Sequence, residues 1–142
     1  MEIKNRKAYF DYTIEKEYEA GIELKGTEIK SIRKGSADLK DSFVTIKENE
    51  AYLLNMYIAK YEEGNIFNHE ERRTRKLLLH KEEIKRLKDA KQLEGISIVP
   101  LKMYLKNGKA KVLIAIAKGK KLYDKRESIK KRDLEREARR EY

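Results

Sequence analysis

Hydrophobic and polar positions alternate with a period of two along much of the first 119 residues, and that period predicts strands. Residues 8–18, AYFDYTIEKEY, carry Tyr12, Ile14 and Tyr18 between polar neighbours and read as a strand that Gly21 ends. Residues 24–35 change phase. Leu24, Ile29 and Ile32 fall on one helical side, with Thr27 as expected N-cap, Glu28 in the first turn and Gly35 as stop. Lys30, Arg33 and Lys34 then lie outside.

Residues 42–58 hold two alternating runs around Glu48-Asn49-Glu50, a hairpin pattern. Val44 and Ile46 form one apolar row; Tyr52, Leu54, Met56 and Ile58 form the second. Residues 59–71 read as a long polar loop, and 72–79, RRTRKLLL, as a basic start running into an apolar strand. Residues 81–93 form the clearest amphipathic helix, with Ile84, Leu87 and Ala90 on one side, acidic residues in the first turn and Gly95 beyond the end. Residues 96–106 and 109–118 alternate about Asn107-Gly108, a pair suited to a type I′ turn. Pro100 predicts an edge strand or a bulge. About six short antiparallel strands in one small domain must curl to bury a common face. A mainly β, closed or partly open barrel with two to three flanking helices is therefore expected over 1–119.

The pattern fades after Gly119. Residues 120–142 carry a net charge of +4 and only a thin apolar stripe of Leu122, Tyr123, Ile129, Leu134, Ala138 and Tyr142. Such a segment is expected to be a basic tail, disordered alone and helical when a polyanion receives it. The whole chain carries +10 over 142 residues, which favours polyanionic partners. It holds no cysteine, which excludes disulfides, thiolate metal sites and cysteine catalysis. The longest apolar stretch, Val112 to Ala117, is far too short to span a bilayer. A soluble, cytoplasmic protein acting as a monomer is expected.

Catalytic patterns are missing from the sequence. His69 and His80 stand in a polar loop and at a strand end, and the carboxylates sit mostly among basic neighbours. We read the chain as no enzyme, with no cofactor, resident metal or small-molecule substrate. Basic clusters carry the information instead. Arg72, Arg73, Arg75 and Lys76 form one; Lys109, Lys111, Lys118, Lys120 and Lys121 surround the last hairpin. Cations on a strand-rich surface can track a phosphate backbone. Tyr52 and Tyr104 receive no binding role, because residues at such strand spacing are more often core or half-core than base platforms.

Five stretches together resemble one family. They are Asn5-Arg6-Lys7-Ala8, Tyr18-Glu19-Ala20-Gly21-Ile22, Gly26-Thr27-Glu28-Ile29-Lys30-Ser31-Ile32-Arg33, Arg75-Lys76-Leu77-Leu78-Leu79, and Gly119-Lys120-Lys121-Leu122-Tyr123-Asp124-Lys125-Arg126. In this order and spacing the chain resembles the SmpB (SsrA-binding protein) family from about Asn5 to the late 130s. The leader is short, and the chain ends at Tyr142 where family tails often carry more basic residues.

The resemblance implies an OB-like barrel of six antiparallel strands. It implies an adaptor that binds the tRNA-like domain of transfer-messenger RNA and brings it, charged with alanine, to ribosomes stalled on messages lacking a stop codon. Elongation factor Tu would be an indirect partner and the small ribosomal subunit a direct one. Glu19, Leu78 and Lys111 fall on RNA-binding positions of the family. Lys30, Arg33, Arg75, Lys76, Lys118, Lys120 and Lys121 are added as candidate RNA contacts. Asp124-Lys125-Arg126 matches a tail motif needed on the ribosome, and Tyr123 a ring that stacks near the decoding centre. Three other classes stay open from the residues: a general single-strand-binding or ribosomal protein of OB type, a metal-dependent nuclease, and, more distantly, a membrane-surface binder.

Overall fold

The computed structural model describes residues 2–120, apart from the side chains of 64–66. In chain order the elements are β1 (Glu2–Lys4), α1 (Arg6–Asp11), β2 (Tyr12–Ile22), α2 (Gly26–Arg33), β3 (Ala37–Asp38), β4 (Phe43–Lys47), β5 (Glu50–Leu54) and β6 (Tyr57–Ile58). A 3-10 segment over Glu62–Phe67 follows, then β7 (Arg75–Leu78), α3 (Lys81–Lys91), β8 (Ile96–Lys106) and β9 (Lys109–Gly119). Seven strands form one antiparallel sheet in the order β1-β8-β9-β2-β7-β5-β4, and β3 pairs with β6 apart from it. The expected tail over 120–142 lies outside the described residues beyond Lys120.

The sheet curls. β4, at one edge, packs beside β8, next to the other edge, without a hydrogen-bonded ladder between them among the described residues. The barrel is thus close-packed at its seam but not zipped by backbone bonds. Inside it, Tyr18, Ala20 and Ile22 of β2 meet Leu53 of β5, Leu77 of β7, Met103 of β8 and Val112 and Ile114 of β9. Ile32 of α2 and Leu87 of α3 plug against the same core.

The last hairpin forms as its sequence predicts. Asn107 and Gly108 take φ of 53° and 77°, as a type I′ turn requires. The register slips between Pro100 and Lys102, the expected bulge. That slip lets β8 bury both faces. Ile98 and Met103 point into the barrel, while Val99 and Leu101 join Ala115 and Ala117 in a second apolar layer under Ala8 of α1.

Four expectations change. Residues 8–11 are helical, not strand, because buried Asn5 caps α1: its Oδ1 accepts from the Ala8 amide at 3.3 Å. The Asn5 amide group and backbone N–H meanwhile bond the Pro100 and Leu101 carbonyls, both at 2.8 Å. Gly21 does not end β2, which runs one residue further. Thr27 is not the α2 cap; Lys25 takes that position, and its backbone N–H bonds the Glu28 carboxylate at 2.7 Å. In the first hairpin the inward residues of β5 are Ala51 and Leu53, not Tyr52 and Leu54. Asn55, at φ 66°, then resets the phase so that Met56 and Ile58 are buried. The turn itself is two residues, Glu48 and Asn49, both at positive φ.

Candidate nucleic-acid interface

The outward face of the sheet builds the candidate site from alternation alone. On β2, Glu19 and Gly21 point away from the core while Tyr18, Ala20 and Ile22 point in. Cross-strand partners bring the rest: Gly21 pairs with Lys111 of β9 and Leu78 of β7, and Lys111 pairs with Tyr104 of β8. The result is a shallow concavity lined by Glu19, Gly21, Leu78, His80, Glu83 and Lys111. Leu78 is 48% exposed, an apolar surface with charge on either side. A Cβ added at Gly21 would stand 3.2 Å from the Leu78 Cβ, so any larger residue there would make Leu78 give by a few tenths of an ångström.

The Glu19 carboxylate is held from both sides. The Tyr104 hydroxyl donates a hydrogen bond to its Oε2, and Lys106 Nζ lies 3.4 Å from its Oε1. The Tyr104 bond, with the charges of Lys106 and Lys111, keeps the Glu19 carboxyl below the usual range. Burial and the bond to ionised Glu19 push the Tyr104 phenol up to about 12. The site therefore presents a fixed anion as an acceptor. Lys111 stands two residues along the ladder and makes no ion pair within 4 Å among the described residues. An oriented acceptor, an apolar surface and a cation suit a nucleic acid, which offers base N–H donors, flat apolar rings and phosphates.

The other candidates divide by position. Lys76 lies on the same outward face, next to Leu78 in β7, and pairs with Glu50 at 3.3 Å, which raises its pKa. Arg75, its neighbour, points inward and has no exposed surface. Its guanidinium bonds the Glu28 carboxylate at 2.6 Å, the Met56 carbonyl at 2.7 Å and the Glu71 carbonyl at 3.1 Å. It has no atom to offer a phosphate; strand alternation and a buried acid turned it into a strut. Arg73 completes the strut, with Nε and Nη2 at 3.0 and 2.7 Å from the two Glu28 oxygens.

Lys30 and Arg33 stand exposed on α2, outside the concavity. Lys30 and Lys34 lie over the Tyr61 ring at 5.4 and 4.9 Å from its centre. Lys118 is exposed near the far end of β9, seven residues from Lys111, or about 23 Å at ~3.3 Å per residue. Lys120 Nζ bonds the Tyr9 carbonyl at 3.3 Å. The structure thus gathers Glu19, Leu78, Lys111 and Lys76 and leaves the rest spread over other surfaces. Lys121, Tyr123, Asp124, Lys125 and Arg126 lie outside the described residues.

Sequence reasoning missed Tyr104, Lys106 and His80 as neighbours of the site. Alternation along β8, which turns Lys102, Tyr104 and Lys106 to one face, was the available signal. His69 is no loop residue in character: it is buried, its Nε2 faces the Ile58 carbonyl at 2.9 Å and its Nδ1 the Thr27 hydroxyl at 2.8 Å. A carbonyl only accepts, so Nε2 carries hydrogen and the ring is structural. Among the described residues no three His, Asp or Glu side chains gather to hold a metal ion. Nor is any described helix long and apolar enough to cross a membrane.

A family model described as SmpB protein matches residues 2–142. The SsrA-binding protein of Ligilactobacillus salivarius is 61% identical over 137 residues, covering 96% of this chain and 88% of that protein. The SsrA-binding protein of Staphylococcus epidermidis is 58% identical over 143 residues, covering 98% and 92%. A solved structure described as "tmRNA-SmpB: a journey to the center of the bacterial ribosome" superimposes with a TM-score of 0.71 at 50% identity, over 83% of each chain.

Proposed function

The chain belongs to the SmpB protein family, and from that premise we propose that it is an RNA-binding adaptor of ribosome rescue. It binds the tRNA-like domain of transfer-messenger RNA and brings that RNA to stalled ribosomes for tagging of the unfinished peptide. It works as a monomer in the cytoplasm, with elongation factor Tu engaging the same RNA. Peptide transfer belongs to the ribosome, and this chain supplies no catalytic group.

The observation that carries this reading is the convergence of Glu19, Leu78 and Lys111, from three separate strands, on one concavity. Within it, Lys111 meets a phosphate, Leu78 supports a base or sugar, and Glu19 accepts from base or ribose donors. Lys76, Lys30, Arg33, Lys118, Lys120 and Lys121 add phosphate contacts outside that centre. Arg75 acts from behind, by holding β7 to α2 through Glu28. The tail from 120 to 142 becomes helical on the ribosome, with Tyr123 stacking near the decoding centre and Asp124-Lys125-Arg126 acting during accommodation.

A gel-shift titration near physiological salt tests it, comparing the tRNA-like domain of transfer-messenger RNA with an elongator tRNA. We expect clear preference for the former. Lys111→Ala should weaken binding and lower the slope of log affinity against log salt by about 1, one phosphate contact. Equal binding to both RNAs, falling steeply with salt, would leave only a general polyanion binder.

A further inference from the structure

The outward ladder on β8 holds two residues that the proposed RNA contacts do not include, Tyr104 and Lys106. Both reach across β9 to Glu19 on β2. The Tyr104 hydroxyl donates to Oε2, and Lys106 Nζ approaches Oε1 at 3.4 Å. Glu19 needs such help. It is an exposed side chain with three rotatable bonds on a flat strand face, and alone it would sample several directions. With one donor on each oxygen, one lone-pair direction on each remains for a ligand.

We propose that Tyr104 is a positioning residue for RNA recognition: its hydroxyl fixes the Glu19 carboxylate so that the remaining acceptor sites face the concavity shared with Leu78 and Lys111. Lys106 steadies the second oxygen. This rests on the reading of Glu19 as an RNA contact given above. Fixing the acceptor before binding removes an ordering cost that the complex would otherwise carry. The Tyr104 ring itself is anchored from the other side: Lys102 lies over it at 5.7 Å, and Lys102 in turn pairs with Glu2 of β1 at 3.3 Å. The clamp thus spans the edge of the sheet from β1 to β2.

The test is a double-mutant cycle of Tyr104→Phe and Glu19→Ala in the full chain, read as affinity for the tRNA-like domain. Circular dichroism and the melting midpoint are followed for each variant. Phenylalanine keeps the ring and removes only the hydroxyl. We expect Tyr104→Phe to weaken binding about three- to tenfold, the scale of ordering one side chain. Its salt slope should stay as in the parent, since no phosphate contact is lost. In the Glu19→Ala background the same change should cost less than about twofold. An undiminished penalty there would overturn the proposal and make Tyr104 an RNA contact in its own right. No effect of Tyr104→Phe in the parent would overturn it too. If Glu19→Ala alone binds like the parent, the proposal falls together with its premise, an outcome distinct from the other two.

Discussion

Glu28 is the residue on which one half of the barrel turns. It begins as an ordinary acidic residue near a helix start and ends with no exposed surface, accepting from Arg73, Arg75 and the Lys25 backbone. Burial alone would raise its pKa, but these donors outweigh burial and hold it below the usual 4.5. Its folded pKa lies under its unfolded one. The stabilisation is therefore complete above about pH 4.5 and is lost as pH falls through the lower, folded value. Glu28→Gln leaves Arg75 charged, buried and uncompensated. A cost of about 3–5 kcal/mol is expected in urea unfolding at pH 7. The variant should also lose part of the parent's acid-limb slope. A cost below about 1 kcal/mol with an unchanged acid limb would mean that the strut contributes little.

At the scale of elements, the site depends on how closely β7 approaches β2. Gly21 makes room for Leu78, whose Cβ a Cβ at position 21 would meet at 3.2 Å, and its backbone is extended strand, so the requirement is space and not φ. Gly21→Val should push Leu78 off the strand and reshape the concavity without opening the core, which lies on the other face. We expect affinity for the tRNA-like domain to fall at least as much as in Leu78→Ala. The folding free energy should change by no more than about 0.5 kcal/mol, as for other surface changes. Unchanged affinity with a clear loss of stability would assign Gly21 to folding alone. The β8–β9 hairpin works in the same way on a larger scale. Its type I′ turn sets the register that faces Tyr104 with Lys111 and Lys102 with Leu113. A slip of β8 by one residue would turn Tyr104 and Lys106 from the outward face towards the core.

At the scale of the molecule, charge separates binding from later steps. Residues 1–119 carry +6 and the last 23 residues +4. The proposed contact centre draws on β2, β7 and β9, all within residues 1–119. Cutting the chain after Gly119 removes only the peripheral contacts of Lys120 and Lys121 and some long-range attraction, and should therefore leave binding to the tRNA-like domain, and its preference over elongator tRNA, largely intact. The same cut should abolish tagging in a reconstituted translation reaction. Loss of RNA binding along with tagging would make the tail part of the binding surface.

Features that depend on neighbours along the chain could be read from the residues alone. The Asn107-Gly108 turn, the Pro100 bulge, the amphipathic face of α3 and the curled antiparallel sheet all follow from period, turn chemistry and length. The family too was legible in short stretches taken in order, and it implied Glu19, Leu78 and Lys111 as the contacts proposed above. Tertiary structure decided what depends on distant partners. Asn5 found the Pro100 carbonyl 95 residues away and turned an expected strand into α1. Arg75 found Glu28 across 47 residues and became a buried strut instead of a phosphate contact. Tyr104 found Glu19 across 85 residues and became its clamp. Alternation tells which face a side chain takes, but its bonding partner is chosen by strand order and register, which only the folded sheet supplies.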